Sequence, residues 1–121
     1  MEPRISRFSS NEEIFIPEGC YIRESWNTEA DRAVSIARAR VLPGVTTKSH
    51  RLHGIEERYV IIEGAGTVRI GGMPGQEVQP GDVVFIPAGA IQQISNTGEK
   101  DLVFYAVCTP AFNYGSYESL E

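Results

Sequence analysis

The only two histidines of this chain, His50 and His53, stand just ahead of a carboxylate pair, Glu56 and Glu57, in the stretch GVTTKSHRLHGIEERYVIIEG. Neutral imidazole and carboxylate are the usual side-chain ligands of first-row metals, and their short spacing suits a strand and its turn. The same pair of groups can also move a proton near neutral pH. In the segment EERYVIIEG, strand alternation puts Glu57, Tyr59 and Ile61 on one face and Arg58, Val60 and Ile62 on the other. If the first face looks inward, the Glu57 carboxylate must be paired, protonated or bound to a metal. Tyr59 shares that face, where it either hydrogen-bonds a ligand or packs as a core aromatic.

These residues need strands to position them, and the chain is punctuated for strands. Turn signals recur at Pro17 to Gly19, Pro43-Gly44, Gly64 to Gly66, Gly71 to Gly75, Pro80-Gly81, Pro87 to Gly89 and Asn96 to Gly98. Short runs of valine, isoleucine, phenylalanine and tyrosine lie between them, the pattern of an all-β sandwich or barrel. Strands are predicted at about 20–24, 33–42, 57–63, 67–70, 83–86, 91–95 and 101–108. The segment WNTEADRAVSIARAR has reasonable helix propensity, but its period-two alternation favours a turn at Asn27 to Asp31 followed by a strand. Arg38 and Arg40 then share one side of that strand. Facing inward they would hold an anionic substrate bidentately; facing outward they would be solvated or pair with acids at a dimer contact.

Composition bounds the partners. A chain of 121 residues, 41% hydrophobic and 22% charged, suits one soluble domain, taken as residues 1–121. A net charge of -5 without a basic stripe argues against nucleic acid, and no apolar run approaches a membrane span. The first residues lack the apolar core of a signal peptide, so a cytoplasmic location is the expectation. In that compartment Cys20 and Cys108 are expected to be buried thiols. The tail after Pro110 mixes aromatics with acids and is expected either to pack on a neighbouring subunit or to fray.

Two motifs give these features a family. Gly44, five residues and His50, then Glu57, six residues and Gly64, resemble the first motif of the cupins, G-x5-H-x-H-x(3,4)-E-x6-G. Gly81, Pro87, Gly89 and Asn96 fit every spacing of the second, G-x5-P-x-G-x2-H-x3-N, with Gln92 at the histidine position. The resemblance implies a single cupin domain: an antiparallel β-barrel, or double-sheet jelly roll, often a homodimer. It also implies one divalent transition metal (iron, manganese, nickel or zinc) on His50, Glu57, Gln92 and His53. His53 lies one position late, because Leu52 holds the second histidine's place. Strand parity turns His53 away from His50, whereas a bulge or early turn at Arg51-Leu52 would rotate it inward. Gln92 offers a carbonyl ligand, or a hydrogen bond to a metal-bound water or a substrate.

The reading that follows is a metal-binding cupin acting on a small organic molecule, by dioxygenase- or isomerase-type chemistry. Two histidines and Glu57 would supply the ligand types of an iron(II) facial triad. The rival is a metal-free cupin in which His50 and Glu57 form a pair that recognises a sugar or carboxylate, or moves a proton.

Overall fold

A computed structural model describes all residues, Met1–Glu121. Eleven strands follow in order: β1 (Ile14–Phe15), β2 (Tyr21–Thr28), β3 (Asp31–Val41), β4 (His50–Leu52), β5 (Glu56–Glu63), β6 (Gly66–Ile70), β7 (Gln76–Val78), β8 (Val83–Ile86), β9 (Gln92–Asn96), β10 (Leu102–Thr109) and β11 (Tyr117–Ser119). They form two antiparallel sheets, β1-β2-β3-β10-β5-β8 and β11-β4-β9-β6-β7, which pack as a jelly roll. No helix is long and apolar enough to cross a membrane.

Every strand expected from the sequence is present. The segment 27–42 is extended, with its turn at Glu29-Ala30, so alternation outweighs the helix propensity of its alanines and arginines. The strands that went unread are β1, β4, β7 and β11, each only two or three residues long, too short for a periodic signal.

The core lies between the sheets, where Val41, Ile61, Ile86, Ile94 and Leu102 are fully buried. Parity along β5 is as expected: Glu57, Tyr59 and Ile61 are buried, and the alternate residues Arg58, Val60 and Ile62 are not. Gly64 ends β5 at φ +80°, and a Cβ there would sit 2.6 Å from the Asp101 carbonyl oxygen, so only glycine fits. Asn96 has a structural duty as well. Its amide donates to the carbonyls of Val41 and Lys100, both at 2.8 Å, and its own oxygen accepts the Gly98 N–H at 2.9 Å.

The N-terminal segment lies along the outside of the six-stranded sheet. Glu12 pairs with Arg23, Glu13 pairs with Arg38 and Arg40, and the Phe8 ring lies against the Arg23 and Arg38 guanidinium groups. The tail folds on its own chain: β11 pairs with β4, setting Tyr117 opposite Leu52 and Ser119 opposite His50.

Candidate functional site

Between the two sheets a cavity of about 310 Å³ opens, lined mainly by apolar side chains, with Tyr114 and Glu24 exposed at its mouth. Of the two residues directly opposed across β4 and β9, His50 and Gln92, His50 lines the cavity. Both are buried, at 4% and 1% exposure, because each occupies an inward position of its strand. The His50 Nδ1–H donates to the Lys48 carbonyl at 3.1 Å, which leaves Nε2 as the ring's acceptor. Burial lowers the His50 pKa, so the ring is held toward its neutral form.

Glu57 enters from the other sheet, on β5. It is 7% exposed, and its Oε1 is buried with no hydrogen-bond partner. Burial raises its pKa to about 6, against the opposing pull of the Gln92 amide and of His50. Two positions along β5, the Tyr59 hydroxyl donates to Gln92 Oε1, and the Tyr59 ring packs on Phe104 with centroids 4.4 Å apart. Tyr59 therefore packs as the core aromatic open to it from the sequence, and its hydroxyl bonds Gln92 of the same chain.

Two residues of the site had no signal in the sequence. Glu18 sits in the Pro17–Gly19 turn, where a carboxylate is ordinarily solvated, yet the fold carries it inward to 3.5 Å from His50 Nδ1. Burial raises its pKa to about 7, and hydrogen bonds from the Tyr117 hydroxyl and the Cys20 thiol partly offset that rise. Tyr117 arrives from the tail and stacks on the His50 ring, centroids 5.1 Å apart and planes 19° from parallel. Cys108 completes this side; both cysteines are buried free thiols, as expected.

The residues named from the sequence thus divide. His50, Glu57, Gln92 and Tyr59 come together. His53 does not join them: β4 runs regularly through Leu52, and the turn follows at His53-Gly54, with Gly54 at φ +74°. No bulge rotates His53 inward. Its ring is 57% exposed and its Nε2 lies 2.7 Å from Glu118 Oε1. Arg38 and Arg40 lie on the outer face, paired with Glu13, and Arg40 also reaches Asp101 at 3.1 Å. Their outward alternative is the one realised, with acids of the same chain as partners. Leu52 is buried at the cavity wall, in the place where the motif has its second histidine.

The donor set bears on a metal. Of the motif's ligand positions, His50 and Glu57 present ligating groups, whereas Gln92 has its carbonyl oxygen engaged by Tyr59. No group of three or more His, Cys, Asp or Glu side chains is arranged to hold an ion. The four-ligand set expected from the motif is not assembled.

Comparison with known proteins agrees with the motifs. Residues 37–108, more than half of the chain, match the cupin domain family, and the chain belongs to that family. It is 31% identical over 106 residues to an uncharacterized protein of Methanocaldococcus jannaschii, covering 86% of this chain and 84% of that one. It is 35% identical over 77 residues to an oxalate-binding protein of Thermotoga maritima, covering 64% and 63% of the two chains. Among solved structures, a Streptomyces nucleoside dehydratase with uridine superposes with a TM-score of 0.79 at 14% identity, over all of this chain and 93% of that one. At that identity the likeness is one of fold.

Proposed function

We propose that this protein is a metal-free cupin whose inter-sheet cavity takes a small organic molecule, with His50 and Glu57 as the polar pair that engages it. The observation that carries this reading is the buried Glu57 Oε1, which has no hydrogen-bond partner in the protein and lines the cavity. An unsatisfied buried carboxylate oxygen costs about 1–3 kcal/mol, which a ligand donor would recover. Neutral His50 and a Glu57 that titrates near pH 6 are matched for proton transfer to and from a bound molecule, so isomerase-type chemistry fits the pair. The coarser class, a small-molecule-binding cupin, rests on the fold and the family match.

The same orphan oxygen supports a second reading, in which His50, Glu57 and the Gln92 oxygen hold one iron, manganese, nickel or zinc ion after Gln92 turns away from Tyr59. Elemental analysis of untagged protein, before and after incubation with each metal, separates the two. Less than a tenth of an equivalent in every case supports the metal-free pocket. Near one equivalent per chain, lost in His50→Ala and kept in His53→Ala, overturns it.

We also propose a homodimer. Ile62, Val83 and Phe85 are exposed together on the outer face of β5 and β8, at one edge of the six-stranded sheet. Sedimentation velocity on wild type and on Phe85→Glu tests this: a dimer for the first and a monomer for the second is expected.

A further inference from the structure

The charges around the cavity are all of one sign. Three carboxyl groups line it, Glu18 and Glu57 inside and Glu24 at the mouth, and no lysine or arginine does. The remaining polar groups there are His50, Ser35, Cys108 and the hydroxyls of three tyrosines, none of which carries a fixed positive charge. The basic residues nearest in sequence lie on the outer face instead, where Arg23, Arg38 and Arg40 are held by Glu12 and Glu13. Arg58 also points outward and donates to Thr109 Oγ1 at 2.6 Å. This segregation follows from strand parity, because each of these arginines alternates with an inward residue of the cavity wall.

An acidic cluster alone could be satisfied by protonation. The second observation is Glu57 Oε1, buried without a partner at the cavity wall, an acceptor with no donor supplied by the protein. The third is the aromatic wall: Tyr117 stacks on His50, and Phe112 and Tyr114 meet edge to face with centroids 5.2 Å apart. Aromatic faces attract cations by their quadrupoles, and more strongly where water is excluded. An anionic ligand would meet three carboxyl groups and no counter-charge. Taking the metal-free pocket as its basis, we infer that the ligand is a small organic cation, a protonated amine whose ammonium group sits on Glu57 among the aromatic rings. The net charge of -5 adds a general attraction for such a ligand over an anion.

The test uses three matched probes on the whole chain, 2-phenylethylamine, 2-phenylethanol and 3-phenylpropanoate, titrated calorimetrically at pH 8. The expected result is that the amine binds at least tenfold tighter than the alcohol and that the acid does not bind. Glu57→Gln and, separately, Glu24→Gln should each reduce the ratio of amine to alcohol affinity, Glu57→Gln to near one. Far-UV circular dichroism verifies the fold of each variant, and Glu24, being exposed, is the variant least exposed to folding failure. If the amine binds no better than the alcohol, or neither binds, the cation assignment is overturned; so too if the preference survives both substitutions. Binding of the alcohol or the acid alone would leave the metal-free pocket standing, whereas that pocket falls only to the metal analysis above.

Discussion

The Tyr59 hydroxyl reaches from β5 in one sheet to the side-chain oxygen of Gln92 on β9 in the other, tying the two layers together inside the cavity. That bond decides what Gln92 presents to the site. The carbonyl oxygen at the motif's last histidine position is thereby engaged by a residue of the protein itself.

Tyr59→Phe should therefore destabilise the protein by about 1–3 kcal/mol, because it leaves the Gln92 oxygen buried and unsatisfied while keeping the ring packed on Phe104. Urea denaturation gives the difference. A loss well under that range would mean that Gln92 finds another donor.

Gln92→His should convert the site. Together with His50 and Glu57 it would offer three ligands of the family's usual kind at one place in the fold. The expected outcome is zinc uptake near one equivalent by the variant, measured by elemental analysis, against far less in the wild type. Equal uptake by the two proteins would show that Gln92 does not set metal affinity.

Burial of Glu18 and Glu57 makes stability depend on pH in a definite direction. Both pKa values are raised in the folded protein, to about 7 and about 6, above the ordinary 4.5 of the unfolded chain. Between those limits the native state binds more protons than the unfolded state, so stability is fully present below about pH 4.5 and is lost as pH rises through 6 and 7. His50 works in the opposite sense: its pKa is lowered, so its contribution is lost as pH falls below 6.5. Glu18→Gln isolates the larger carboxylate effect. The variant should match wild type near pH 4.5 and exceed it at pH 8 by a few kcal/mol, on the order of what a shift of that size implies. Parallel stability curves for the two proteins would show that Glu18 is not buried in solution.

Gly64→Ala should be among the most damaging single substitutions outside the cavity. It combines a left-handed backbone with a Cβ forced against the Asp101 carbonyl, for a loss of about 1–3 kcal/mol or more. Thermal denaturation checks this, with Gly72→Ala, where nothing lies within 4 Å of the added atom, as the mild control.

Legibility followed the range of the interactions involved. Alternation along 56–63 determined which way Glu57 and Tyr59 face, since a strand has period two wherever it lies. The turns at Gly44, Gly64, Gly81 and Gly89 were visible because each has a positive φ that glycine adopts readily, and those glycines carry the family spacing. His50, Glu57 and Gln92 could be named for the same reason: each lies at a fixed distance along the chain from one of those turns.

Only the tertiary structure decided what those residues meet. Whether His53 turns in or out depended on where β4 ends, and β4 is set by its pairing with a tail strand 65 residues away, whose Glu118 then holds the His53 ring outside. Glu18 and Tyr117 lie 99 residues apart, and no local pattern marks either, yet closing the sheets brings both against His50. Strand parity turns Arg23, Arg38 and Arg40 outward, but the acids they meet there, Glu12 and Glu13, are brought by the N-terminal segment only in the folded chain. The sequence by itself determined the strands, their faces and the turns, because those are local. The charge, partners and protonation of the cavity are sums over both sheets and both ends of the chain, and they exist only once the barrel is closed.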